Sequence, residues 1–270
     1  MRKTIAISVG SLLALSALGV AVPAQASHSW GGYHWARTAN PLNLKLGDNL
    51  SSAWDPYLVT SSNDWSSSSV LNTAIVAGGT TSRLCKATSG RVEACNYKYG
   101  NNGWLGIAQI WISGTHITKG LVKVNDTYFS TVKYNTPAWR NLVMCQEVAH
   151  TFGLNHQDEA FNNFNLGSCM DYTNAPAGGT VNGFNYGPSN EHPNAHDYAQ
   201  LETIYAHLDS FTSSSASKAS AGAAPAADVD VSARAEWGKV IRTSSDGRAS
   251  LYARELSPGQ KVLTFVIWAD

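Results

Sequence analysis

The sequence predicts an α+β protein: a twisted mixed sheet, mostly parallel, carried with a few helices and followed by a small β-rich C-terminal segment. Three observations predict it. Between residues 41 and 130, short strand-like runs alternate with Gly- and Asn-rich turns such as Gly100-Asn101-Asn102-Gly103. Two later stretches carry the apolar spacing of amphipathic helices. A Ser- and Ala-rich stretch at 212–229 then precedes residues 230–270, which alternate like strands again.

Length and composition bound the reading. A chain of 270 residues with 43% hydrophobic and 14% charged side chains has room for one sizeable domain and an appendage. It is too apolar for a disordered chain and too poor in charge for a coiled coil. Lys+Arg and Asp+Glu both total 19, so there is no basic footprint for nucleic acid and no polybasic membrane patch. Neither is expected as a partner, and the mature chain is expected to be a monomer.

Taken in order, Met1-Arg2-Lys3, an apolar run from Thr4 to Val22 and Ala24-Gln25-Ala26 read as a secretory signal peptide at 1–26. The mature protein is therefore expected outside the cell. A retained membrane anchor is the alternative that the length of the run permits. Residues 27–40 form a short polar and aromatic lead-in, and residues 41–211 the main domain. Apolar spacing around Trp54–Trp65 is helical. Val70–Val76, Arg91–Tyr97, Leu105–Ser113 and Gly120–Phe129 read as strands. Thr136-Pro137 is a helix start, with Thr as N-cap and Pro in the first turn. Ala138, Leu142, Cys145, Ala149 and Phe152 then form one stripe of a helix running to about Phe152, where Gly153 stops it. Tyr198, Leu201, Ile204, Tyr205 and Leu208 mark a second helix. Residues 212–229 have linker composition. Gly238–Thr243, Ala249–Glu255 and Val262–Trp268 read as strands that pack on the main domain or bind something.

Export gives the four cysteines a meaning. Cys85, Cys95, Cys145 and Cys169 suggest two disulfides, and three pairings are open. The neighbour pairing, Cys85–Cys95 and Cys145–Cys169, closes the shortest loops. A four-cysteine zinc site is the alternative, against which stands the lack of any CxxC pair.

The chemistry sits on the helix that ends at Gly153. Gln146 and His150 are four residues apart and share a helical face, with Glu147 beside them. Gly153 can take positive φ and turn the chain so that His156 comes back toward the same point. Two imidazoles, a further donor and a nearby carboxylate describe a catalytic zinc site.

This segment, Gln146 to His156, resembles the metzincin zinc signature H-E-x-x-H-x-x-G-x-x-H. It matches at Glu147, His150, Gly153 and His156 and departs at Gln146, which stands where the family has its first His. Ser168-Cys169-Met170-Asp171-Tyr172 resembles the Met-turn below the zinc, and Gly103–Ala108 resembles the strand lining the substrate cleft in matrixin-like members. The resemblance covers about residues 41–210. It implies Zn2+ held by Gln146, His150 and His156, Glu147 as general base, Tyr172 as an oxyanion donor, Met170 as hydrophobic floor, and a peptide or protein as substrate. An amide oxygen is a weaker ligand than imidazole, so zinc affinity should be lower than in a three-His relative. Asp158 is the alternative third ligand. Matrixins often cap their zinc with a pro-segment cysteine. No cysteine stands between Ala26 and Cys85, so a thiol switch is not expected.

Other candidates are weighed beside these. His192 and His196 are four apart, a spacing open to a metal, but they fit the start of the last helix. Asp126 and the Asp158-Glu159 pair could hold a structural Ca2+; without EF-hand spacing, solvated carboxylates are the simpler reading. The function expected is a secreted zinc endopeptidase. The alternatives are a weak or inactive metzincin-like fold used for binding, and a binding protein with no metal.

Overall fold

A computed structural model describes residues 28–214, 229 and 231–269. The expected signal peptide and most of the Ser/Ala-rich stretch lie outside the described residues. In chain order the elements are β1 (His34–Trp35), β2 (Leu42–Asn49), α1 (Asp55–Trp65), β3 (Leu71–Ala77), β4 (Val92–Tyr97), β5 (Trp104–Ser113) and β6 (His116–Asn125). There follow α2 (Asp126–Phe129), α3 (Pro137–His150), β7 (Thr180–Val181), β8 (Phe184–Asn185), α4 (Ala195–Ile204), β9 (Lys239–Thr243), β10 (Ala249–Ser257) and β11 (Gln260–Trp268). Among the described residues no helix is long and apolar enough to cross a membrane.

The main sheet runs β3-β2-β4-β6-β5-β11-β10-β9, with β1 beside the start of β6. It is evenly mixed rather than mostly parallel: β1–β6, β2–β3, β2–β4 and β4–β6 are parallel, and β5–β6, β5–β11, β10–β11 and β9–β10 antiparallel. The cause is the β5–β6 hairpin: β6 returns from β5 through the tight turn at Gly114, so β5 runs against the parallel strands and presents an edge for an antiparallel partner. The C-terminal segment takes that edge. β11 pairs with β5 from Gln260↔Ser113 to Trp268↔Trp104 and brings β10 and β9 with it.

One face of the sheet packs on α1 and α3 over a core that includes Trp35, Trp54, Trp65 and Phe152. The opposite face is covered by a second cluster with Trp104, Trp111, Trp237 and Trp268. The lead-in belongs to the core: Trp35 is fully buried and donates its indole N–H to the Thr151 carbonyl at 2.8 Å. Ser213 likewise bonds back to Ala36 and Ile117, so the first residues after 211 are still part of the body.

Several expected boundaries move, and β6 starts at His116 rather than Gly120. β6 ends at Asn125, whose side chain accepts from the Thr127 N–H and starts the short α2, so the expected strand does not reach Phe129. Helix α3 starts as expected, with the Thr136 hydroxyl accepting from the Trp139 N–H and Pro137 in its first turn. It ends at His150 rather than Phe152, because Thr151, Phe152 and Gly153 donate to carbonyls only three residues back. Helix α4, capped by Asn194 and Asp197, stops at Ile204, leaving Leu208 exposed. Both disulfides join sequence neighbours, Cys85–Cys95 and Cys145–Cys169.

Candidate active site

Gly153 decides the local path. Its φ is +98°, and a Cβ there would stand 2.1 Å from the Tyr33 carbonyl oxygen, so both conformation and space require glycine. The chain then turns, and His156 comes to face His150. Their Nε2 atoms are 2.9 Å apart. Each ring is held from behind through Nδ1: His150 by the Leu154 carbonyl at 2.8 Å, and His156 by Glu159 Oε1 at 2.8 Å. With Nδ1 as the N–H donor, each Nε2 presents a lone pair to the same point, the arrangement that metal-ligating histidines use.

Gln146 and Glu147 complete the cluster. All four residues are buried, none more than 4% exposed. Neither amide atom of Gln146 and neither carboxylate oxygen of Glu147 has a hydrogen-bond partner. Orphaned buried groups of this kind cost about 1–3 kcal/mol each, more when charged, and call for an ion or water to satisfy them. These residues fit a zinc ion: two imidazole lone pairs converge, an amide oxygen lies on the same helical face, and a carboxylate stands beside them. Burial pushes the Glu147 carboxyl well above the usual carboxylate range. The same burial, with His156 second, holds the His150 imidazole well below its ordinary value. Gly106 of β5 makes room for Glu147, since a Cβ there would meet Glu147 Oε1 and Val143 Cγ1 at 2.7 Å.

The segment around Met170 lies below. Gln157 donates its backbone N–H to the Met170 carbonyl at 2.6 Å, and Tyr172 to the Asp158 carbonyl at 3.1 Å. The Cys145–Cys169 disulfide ties this segment to α3 one residue before Gln146. The Tyr172 ring lies 4.5 Å from that of His156, and burial pushes its hydroxyl well above the usual range. That hydroxyl donates to the backbone carbonyl of Val266 in β11 at 3.2 Å.

Strand β11 roofs the cluster. The Phe265 ring stacks on His150 with centroids 4.3 Å apart and planes 10° from parallel. Trp30 meets Phe265 edge-on. Arg242 of β9 reaches Glu159 at 3.2 Å, and the Ser250 hydroxyl of β10 donates to the other Glu159 oxygen at 3.2 Å. Burial alone would raise the Glu159 carboxyl, but His156 and Arg242 hold it below its usual value.

The structure thus brings Gln146, Glu147, His150, His156, Met170 and Tyr172 together. It does not bring His192 and His196 together as a metal pair: His192 bonds Asp64 at 2.7 Å, while His196 sits in the first turn of α4 and stacks on His28. Asp158 turns onto its own loop, accepting from the Ala160 N–H. The carboxylates expected to be solvated have partners. Asp126 accepts from Trp54 Nε1 and Asn96 Nδ2, and Glu159 is engaged as described. Glu159 and β11 are the parts of the site that sequence reasoning missed. A carboxylate three residues after His156 was the available signal for the first. Nothing local marked the second.

No family model matches the chain, and no curated protein matches it. Among solved structures it is similar to that of myroilysin, with 14% identity over 65% of this chain and 84% of that one, at a TM-score of 0.36. A likeness that slight carries no argument about this chain.

Proposed function

We propose that the chain is a secreted zinc-dependent endopeptidase. The observation that carries this reading is the cluster itself: two Nε2 atoms 2.9 Å apart, each fixed from behind, beside four orphaned polar atoms of Gln146 and Glu147. The Gln146–His156 pattern and Met170, with their resemblance to the metzincin signature, support it. The leader and the two disulfides support secretion.

His150, His156 and Gln146 would hold zinc, which when bound supplies Lewis-acid polarisation of a peptide carbonyl and of a water. Glu147 takes the proton of the attacking water and returns it to the leaving amine; its raised affinity for protons suits a group that must accept one near neutral pH. Tyr172 donates its hydroxyl to the carbonyl oxygen as negative charge grows there. Leu154 and Glu159 keep the two imidazoles in the tautomer that binds metal.

A second reading, a fold of this type that binds rather than cuts, is favoured by one observation: β11 lies over the cluster. The deciding assay is hydrolysis of a mixed peptide library in zinc-replete buffer, by the whole chain and by a chain whose β11 is weakened with Thr264→Pro. Cleavage by either that falls about 10²–10⁴-fold on adding Glu147→Ala supports the endopeptidase. Silence of both would move the reading to a binding protein.

A further inference from the structure

We propose a second divalent-cation site, distinct from the cluster on α3, formed by His34, His116, His207 and Asp209. His34 lies in β1, His116 opens β6, and His207 and Asp209 follow α4. Asp209 Oδ1 is 3.4 Å from His34 Nε2, 3.1 Å from His116 Nε2 and 3.6 Å from His207 Nε2; the His207 and His34 Nε2 atoms are 3.2 Å apart. Donors about 2.0–2.1 Å from a tetrahedral zinc stand about 3.3–3.4 Å from one another. The distances to Asp209 and between His207 and His34 lie near that, with His34, His116 and Asp209 forming the close group and His207 meeting it from one side.

The supports are those a metal site needs. His34 donates Nδ1–H to the Gly32 carbonyl at 2.8 Å, leaving Nε2 as a lone pair. Asp209 is fixed through its other oxygen, which accepts the Arg37 backbone N–H at 2.9 Å, and its own N–H donates to the Arg37 carbonyl. His34 is buried and the Asp209 side chain is 9% exposed, while His207 is about half exposed and gives an ion a way in. His34, His116 and Asp209 are in place as three donors, and His207, turning toward His116, would close the fourth position of a structural site. An ion there would bind β1, the sheet and the end of the body to one point.

The test is metal content of the whole chain after dialysis against buffered zinc. The wild type is expected to hold two ions per chain, His116→Asn and His150→Ala one each, and a chain with both substitutions none. Cobalt loaded into His150→Ala should give the visible bands of a tetrahedral ion. Unchanged content in His116→Asn, or none in His150→Ala, overturns the site. Should His116→Asn fail to fold, His207→Ala, at a position with little packing, should weaken binding about tenfold or more; unchanged affinity there also overturns it.

A different observation carries a second inference, which rests on the endopeptidase reading. We infer that β11 occupies the groove along β5 that an extended peptide substrate takes, so that the chain as folded is latent. Without residues 231–269, β5 would be an open sheet edge, with Gly106 against Glu147. Open edges take extended peptides by strand addition. β11 does this antiparallel along the whole of β5, setting the Val266 carbonyl on the Tyr172 hydroxyl and the Phe265 ring on His150. A peptide carbonyl thus sits on the hydroxyl assigned to the oxyanion, while a side chain lies over the metal-binding imidazole. Leu263, Phe265 and Ile267 face the side of the sheet that carries α3, so the groove takes apolar side chains at alternate positions. Competing substrates should be extended peptides with a large apolar residue in the place of Phe265.

The test uses the whole chain with Thr264→Pro, which removes a ladder N–H from a strand paired on both sides. If that variant does not fold, Phe265→Asp, which leaves the ladder donors intact, takes its place. The probe is a labelled synthetic peptide of residues 260–269. The weakened variant should bind it at least about tenfold more tightly than the wild type, whose groove is filled, and should cleave the peptide library where the wild type does not. Probe binding without cleavage by any form supports the filled groove and overturns the endopeptidase. A folded variant that does not bind the probe and cleaves no faster than an active wild type overturns the filled groove and leaves the endopeptidase standing.

Discussion

The two ends of the main sheet are built differently. From β3 to β5 the strands are mostly parallel, packed on α1 and α3, and both disulfides lie in this body. From β11 to β9 the strands form an antiparallel meander with short turns, no disulfide, and an outer strand that leaves Val240 and Ile241 half exposed. Parallel strands need long crossovers and can only be assembled as a whole, whereas a meander forms from neighbours in sequence. The body holds the site in place, and the latency inferred above requires the meander to leave β5 although Leu251, Leu263, Phe265 and Ile267 belong to the body's core.

Tryptophan truncations test that contrast most severely. Trp65, the last residue of α1, is fully buried against α3, donates to the Cys145 carbonyl at 3.1 Å and meets Phe152 and Tyr198 edge-on. Trp65→Ala should cost the body about 3–5 kcal/mol and lower its thermal midpoint sharply. Trp237, equally buried, packs on Tyr252 and donates to the Val231 carbonyl within the C-terminal segment. Trp237→Ala should loosen the meander and leave the body's unfolding transition in place, as read by tryptophan fluorescence and binding of the 260–269 peptide. Equal damage to the body from both would break the comparison.

Removing the Cys145–Cys169 bridge with paired serine substitutions should cost about 3 kcal/mol, since it closes a loop with a sequence separation of 24. Zinc affinity should fall with stability, because the bridge joins α3 to the Met170 segment. Denaturant melts and metal content check both; a loss of stability with metal binding intact would mean the bridge does not hold the site in register.

Asp171 bears on the body alone. Burial raises its carboxyl from 3.8 to about 6, against the hydrogen bonds from the Leu166 N–H and Asn190. The folded chain then keeps a proton that the unfolded chain has lost, so stability falls as pH rises through that window, by up to about 3 kcal/mol. Asp171→Asn keeps an oxygen for both donors and should flatten melts between those pH values. An unchanged slope would mean the carboxyl is charged in the folded state.

The contrast also explains what the sequence disclosed. The helix carrying Gln146, Glu147 and His150 was legible because its cap, stripe and stop are local signals. Both disulfides followed from loop length. The return of His156 could be read from Gly153, because few other residues fit that turn. β2 was not singled out, although Leu42, Leu44 and Leu46 alternate with exposed Asn43 and Lys45. The C-terminal strands were legible as strands, but their place was not. Pairing of β11 with β5 joins residues about 150 apart, and nothing local specifies which edge an alternating strand will choose. The His34 cluster escaped for the same reason, its members being brought together only by the β1–β6 pairing and the turn after α4.

Arg242 offers the finest cut between the two regions. It reaches from β9 to Glu159, which in turn holds His156, and its guanidinium lies over Trp30. Its side chain is 40% exposed, so the ion pair is largely screened and is worth no more than about 1 kcal/mol. Arg242→Ala should leave the thermal midpoint of the body unchanged and make the groove only slightly easier to open. The 260–269 peptide should bind a few-fold more tightly than it does to the wild type, by at most about fivefold if the whole 1 kcal/mol is lost. Glu159 keeps His156 and Ser250 as partners, so zinc content should not change. A loss of zinc in Arg242→Ala would mean that the meander supports the metal cluster instead of only covering it, and the line drawn between body and cap would have to move.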